Sequence, residues 1–127
     1  MRNHHRAVLA TTRSDGRPQL SPVVVAVDDQ DRVLISTRET AVKTKNLIRD
    51  RRASLCVFND AFFGQWIQAE GDAEIIHLPE ALDFLEDYYR RISGEHPDWD
   101  EYRAAMRRER RVIARITITR AGPDIGG

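Results

Sequence analysis

The chain is 127 residues long, enough for one domain, residues 1–127, around a single core. It is 41% hydrophobic and 31% charged, as soluble globular proteins are, and its 20 basic and 20 acidic residues cancel, which excludes general attraction to nucleic acid or an anionic membrane. A single cysteine, Cys56, excludes an internal disulfide and a cysteine-built zinc site, and its apolar run predicts a buried structural thiol. No apolar stretch approaches the ~20 residues of a membrane span. The N-terminal run MRNHHRAVLATT is too short for a signal peptide, so a cytoplasmic protein is expected.

Ala7–Thr12 is a short run of strand formers, Ser14-Asp15-Gly16-Arg17 is turn chemistry, and Gln19–Val27 is rich in valine, so a hairpin is expected. Asp28–Asp31 reads as a second turn and Arg32–Thr37 as a third strand. Thr40–Arg49 reads as a short helix that opens after the hydroxyls of Ser36, Thr37 and Thr40, which suit capping. Arg51–Phe58 is a fourth strand. Residues 59–65, with Phe62, Phe63 and Gly64, are a loop. Trp66–His77 alternates, with Trp66, Gln68 and Glu70 on one side and Ile67 and Ala69 on the other, and Gly71 marks a bulge. Pro79 opens an amphipathic helix with Leu82, Leu85, Tyr89 and Ile92 on one stripe and its acids on the outer face; Gly94 ends it. A further helix falls within 95–108, with Trp99, Tyr102 and Met106 as its buried positions, and Val112–Thr119 is a sixth strand. The tail AGPDIGG reads as frayed. Six mostly antiparallel strands with turn signals predict a closed or nearly closed barrel, a mainly β fold with helices inserted late.

Charge is segregated. Residues 79–101 hold eight acids against Arg90 and Arg91, and residues 103–111 hold five arginines against Glu109, blocks able to pair with each other or with a second subunit. Residues 38–52 hold six basic residues against Glu39 and Asp50. Lys43 falls in the first turn of the short helix, where the dipole disfavours a cation unless an anion sits there too. Two readings follow: a phosphate-bearing ligand at a strand–helix corner, or a solvated basic face. Lys43 and Lys45 are the only lysines among the 20 basic residues.

Two further features could line a site. Gln19, Ser21 and Val23 share one strand face, where alternating polar groups can bond a flat heterocycle and the valine can pack on it; an ordinary solvent face is the other reading. Trp66 with Gln68 could cover a ring or belong to the core. No dinucleotide fingerprint, Walker motif, nucleophile elbow or zinc-protease motif is present, and His4, His5, His77 and His96 form no metal pattern.

The segments VLATTRSDGRPQLSPV (8–23), AVKTKNLIRDRRAS (41–54), QAEGDAEI (68–75), YRRISGEHPDWDEYRAAM (89–106) and RRVIARITI (110–118) together resemble the pyridoxamine 5'-phosphate oxidase-like superfamily of FMN-binding split barrels. More narrowly, they resemble the actinobacterial flavin/deazaflavin oxidoreductase group B, whose members commonly use coenzyme F420. The resemblance spans nearly the whole chain. It implies a six-stranded antiparallel split β-barrel, a homodimer with cofactor grooves at the subunit interface, and a small-molecule substrate. The function it implies is an F420-dependent oxidoreductase passing a hydride from reduced deazaflavin to a small electron-poor unsaturated substrate. Lys43 would contact the cofactor phosphate, with Lys45 and Asn46 nearby. Gln19, Ser21 and Val23 would border the deazaflavin ring, and Ser36 and Thr37 would approach the phosphate or ribityl chain. Trp66 stands where the family often has an aromatic near the cofactor, with Gln68 on the same strand face; no side chain is assigned a catalytic role.

Two departures stand out. Relatives often carry an arginine two residues before the helix lysine, where this chain has Ala41, and Arg38 is the residue that could reach the same phosphate. An aromatic often found before the long strand is replaced by Gly64. The alternatives are an FMN-dependent oxidoreductase of the pyridoxamine-phosphate-oxidase type, a non-catalytic F420 carrier and, with no convincing axial histidine, a haem-binding split barrel. Arg49, Arg51 and Arg52 could meet the carboxylates of a polyglutamate tail.

Overall fold

The computed structural model describes residues 5–58 and 66–122; His4 and the predicted loop with Phe62, Phe63 and Gly64 lie outside them. The elements in chain order are β1 (Arg6–Thr12), β2 (Pro18–Val24), β3 (Ala26–Val27), β4 (Val33–Arg38), α1 (Val42–Arg49), β5 (Arg52–Phe58), β6 (Trp66–Ile76), α2 (Ala81–Ser93), α3 (Trp99–Arg108) and β7 (Arg111–Ala121). One antiparallel sheet has the order β2-β1-β5-β6-β7-β4-β3.

The six strand-forming runs are all present, but one is divided. Val25 alone separates β2 from β3, yet β2 pairs with β1 and β3 with β4, at opposite edges of the sheet. One bent segment therefore joins the two edges and curls the sheet into a split barrel. Val25 is fully buried at the bend, its N–H donating to the His5 carbonyl at 2.7 Å and its own carbonyl 2.9 Å from His5 Nδ1. Beyond the bend β2 and β4 part, because β3 contributes only two residues to β4.

The core has two compartments. Leu9, Val25, Val33, Ile35, Leu47, Leu55, Val57 and Ile116 fill the barrel. Leu34 and Ile113, on the other face of β4 and β7, pack against Ala81 and Leu85 of α2 and Tyr102 of α3. Both faces of β4 are thus covered, which explains its unbroken apolar run. Fully burying a leucine or isoleucine contributes roughly 1.5–3 kcal/mol, so these alternating positions hold the two layers together.

Local chemistry sets the connections. Gly16 (φ 87°) turns the β1–β2 hairpin. Asp28 Oδ1 accepts from the N–H groups of Gln30 and Arg32, both at 2.9 Å, and closes the next turn. The sheet ladder slips between Glu70 and Gly71, the bulge expected there. Asp98 caps α3 by accepting from the Glu101 N–H, and Gly94 (φ 79°) ends α2. The opposite charge blocks pair within the chain: Arg103 meets Glu86 at 2.8 Å and Arg108 meets Glu101 at 3.1 Å.

Several expectations need correction. The short helix starts at Val42 rather than Thr40, and its N-cap, Ala41, has no side-chain cap. The nearby hydroxyls bond otherwise: Thr44 Oγ1 donates to the Arg38 carbonyl at 2.7 Å and lies 3.2 Å from Thr37 Oγ1. Cys56 is exposed, not buried, because Ala53, Leu55 and Val57 take the inward positions of β5 and the alternation turns Cys56 outward. Glu86 is buried beneath Arg103 rather than on the outer face of α2. Among the described residues no helix is long and apolar enough to cross a membrane.

Candidate functional site

The helix α1 packs against β1 and β6. At one end of α1, Asn46 Nδ2 donates to Thr11 Oγ1 at 3.0 Å, and Arg49 Nη2 donates to the Thr12 carbonyl at 2.5 Å. Both residues lie on β1. At the other end, α1 follows directly from β4 through Glu39–Ala41. Tyr88 of α2 reaches the end of β2: its hydroxyl donates to the Val24 carbonyl at 2.9 Å and has the Ser36 N–H beside it. Burial pushes its phenol above the ordinary range, while the Ser36 N–H and the charge of Arg111 act the other way.

On β2, Gln19, Ser21 and Val23 are half-buried on the inner face, opposite the buried Thr11, Leu9 and Ala7. They share one face as expected, with Gln19 next to the Thr11–Asn46 bond. Leu20, Pro22 and Val24 face outward. At the end of β4, Thr37 is buried toward Thr44, whereas Ser36 lies on the face of Leu34, toward α2. The two residues therefore point to opposite sides of their strand.

Lys43 is half-buried in the first turn of α1 and forms no ion pair or hydrogen bond among the described residues. Burial first, and then the positive charge of Arg111, hold its ammonium below the ordinary lysine range. Lys45 is exposed. Asn46 is buried, its amide donating to Thr11 and accepting from Arg49 at 3.0 Å, so its observed bonds anchor the helix. Arg38 is 60% exposed and lies 3.6 Å from Glu109.

Trp66 and Gln68 are elsewhere. Ile67, Ala69, Gly71 and Ala73 take the inner face of β6, so Trp66 and Gln68 lie on the outer face of the sheet. With Val8, Leu20 and Cys56 they line a shallow hollow of about 160 Å³. Leu20 is 62% exposed there. The sheet itself separates this set from Gln19, Ser21 and Val23. A second hollow, about 530 Å³, lies at the β1–β2 turn among Arg13, Arg49, Arg51 and Arg52, with Asp50 and Asp72. Arg52 hydrogen-bonds Asp50 and holds its carboxyl down to about 2, and Arg51 lies 4.0 Å from Asp72.

Two residues near the ends of β2 and β4 escaped the sequence reading. Arg111 counted only as part of a basic block, and its register opposite Arg38 is the signal that brings it to α1. Tyr88 sits one residue off the predicted stripe of α2, and only the divided strand gives its hydroxyl a position.

A bent strand shared between two sheet edges defines a split β-barrel, and the lysine-bearing helix packed on β1 and β6 offers a candidate anion site. The chain matches the pyridoxamine 5'-phosphate oxidase family over residues 1–122 and belongs to that family, one of flavin-type oxidoreductases. It is similar to a conserved hypothetical protein of Mycobacterium tuberculosis, at 27% identity and a TM-score of 0.77 over 99% of this chain and 87% of that one. An F420 reductase shares the fold at 21% identity and a TM-score of 0.71, over 93% of this chain and 89% of its own. So does a pyridoxamine 5'-phosphate oxidase-related, FMN-binding protein of Nostoc punctiforme, at 14% identity and 0.68, over 92% of this chain and 72% of its own.

Proposed function

We propose that the chain is an F420-dependent reductase of the flavin/deazaflavin group B type, acting on a small electron-poor unsaturated substrate. The observation that carries this reading is Lys43, a half-buried lysine in the N-terminal turn of α1 that has no anionic partner among the described residues. Such a position costs free energy unless an anion joins it, and helix N-termini favour phosphate. The donor set fits a phosphate-bearing planar heterocycle. Lys43 would hold the phosphate, and Gln19 and Ser21 would hydrogen-bond the ring edge while Val23 packs on its face. When bound, the reduced deazaflavin supplies a hydride from ring carbon C5 to the substrate.

The protein's part is to bind, orient and exclude water. Because Trp66 and Gln68 lie across the sheet from Gln19, they would meet that ligand only from a second copy of the chain. A homodimer whose contact includes the outer face around Leu20, Cys56 and Trp66 accounts for both sets and for the exposed leucine.

An FMN-dependent oxidoreductase is the second reading, favoured by membership of the pyridoxamine 5'-phosphate oxidase family. Titration of the purified protein with F420 and with FMN, read by tryptophan fluorescence, decides between them. Micromolar F420 binding with weak FMN binding supports the deazaflavin reading. The reverse moves the protein to the flavin branch, and tight F420 binding without turnover of any acceptor points to a carrier.

A further inference from the structure

We propose that the Tyr88 hydroxyl takes the place of a missing backbone rung between β2 and β4 and fixes the spacing of the two strands, which makes Tyr88 a positioning residue for the ligand on the inner face of β2. The inference rests on the reading that such a ligand binds beside Gln19, Ser21 and Val23, and it adds a residue of α2 to that site.

The hydrogen bonds along the strands fix which backbone groups meet where β2 and β4 part. In an antiparallel ladder, successive residues turn their N–H and C=O groups to opposite neighbours. Val25 donates to the His5 carbonyl at 2.7 Å, on the β1 side, so Val24 and Ala26 turn theirs away from β1. Glu39 donates to the Arg110 carbonyl at 2.9 Å, in the register of β4 with β7. Ile35 and Thr37 therefore turn to β7, and Leu34 and Ser36 turn to the opposite side. Leu34 meets Ala26 there, and the same register carried one rung further would set Ser36 opposite Val24. The pairing stops at Ala26–Leu34, because Val24 already belongs to β2 and lies opposite Arg6. The Tyr88 hydroxyl occupies the vacant rung. It donates to the Val24 carbonyl at 2.9 Å and has the Ser36 N–H beside it.

A direct rung would bring the Val24 oxygen and the Ser36 nitrogen to about 2.9 Å, and a hydroxyl between them roughly doubles that separation. The Tyr88 ring packs with Leu34, Leu85 and Ile113, so a rigid layer carries the hydroxyl. The spacing set at this rung passes to both sides of the site. Val23 precedes Val24 on β2. Thr37 follows Ser36 on β4 and lies 3.2 Å from the hydroxyl of Thr44, the residue after Lys43. Tyr88 thus sets how far the inner face of β2 stands from the start of α1.

The test uses the wild type, Tyr88→Phe and Tyr102→Phe. Dissociation constants for F420 and FMN are measured by fluorescence titration, and exchange of the Ser36 amide in the ligand-free protein by NMR. Tyr102 belongs to the same helical layer and its hydroxyl also bonds a backbone carbonyl, that of Leu85, so it controls for a general loss of stability. The wild type is expected to protect the Ser36 amide. Tyr88→Phe should quicken exchange there and weaken the preferred cofactor by about tenfold, the upper end for a neutral hydrogen bond, whereas Tyr102→Phe should do neither. Equal effects from the two variants, or an unchanged affinity in Tyr88→Phe, overturn the positioning role. Free exchange of the Ser36 amide in the wild type overturns the bridge itself, a result that does not depend on the folding of any variant. A wild type that binds neither F420 nor FMN overturns the ligand reading and the positioning role with it, while the exchange data still decide the bridge.

Discussion

Lys43 is the residue on which the functional reading depends most. Lys43→Ala is expected to weaken cofactor binding by ~1–3 kcal/mol, the range for a charged hydrogen bond, with the melting temperature of the free protein unchanged or raised, since a half-buried charge disappears. Fluorescence titration and a thermal melt check the two halves. Gly71 is constrained by space: a Cβ there would lie 2.1 Å from the Thr117 carbonyl oxygen, a backbone atom that cannot move aside alone. Gly71→Ala should therefore cost ~2–3 kcal/mol, read as a lower urea midpoint. Tyr102 carries a pH prediction. Its hydroxyl donates to the Leu85 carbonyl at 2.9 Å, and burial pushes its phenol from 10.0 up to about 12. The folded protein keeps this proton where the unfolded chain has lost it. The associated stability is whole below pH 10 and is lost as pH rises to about 12. Urea midpoints across that window should fall more steeply for the wild type than for Tyr102→Phe.

At the scale of elements, α1 is held by few bonds. Its N-cap lacks a side-chain partner, and Asn46 ties it to β1 through Thr11. Asn46→Ala should cost ~1–3 kcal/mol, concentrated in the helix, because a buried polar contact is lost. Amide exchange in α1 should quicken while β5 and β6 stay protected; uniform quickening would mean that the bond supports the whole barrel instead. Much of each element was legible locally. The Asp-Gly turn, the bulge at Gly71, the stripe of α2 and the Gly94 stop all depend on near neighbours in sequence. The start of α1 was misread because hydroxyls near a helix start need not cap it: Thr44 spends its hydroxyl on the Arg38 carbonyl.

For the whole molecule, the arrangement of the two residue sets argues for two chains per site. Leu20→Asp, which changes the outer face of the strand whose inner face carries Gln19 and Ser21, is expected to shift the proposed dimer to monomer in sedimentation and to weaken cofactor binding with it. A wild type that sediments as a monomer with F420 bound would sink the shared-site arrangement.

The sequence by itself determined the strands, turns and helices and the lysine-bearing segment, because alternation, helical periodicity and turn chemistry are properties of residues a few positions apart. Its resemblance also named the family. Tertiary structure alone decided three things: the bend at Val25 that splits the barrel, the outward turn of Cys56, and the opposite faces of Gln19 and Trp66. Each depends on the register between strands distant in sequence, and a shift of one residue would reverse every face.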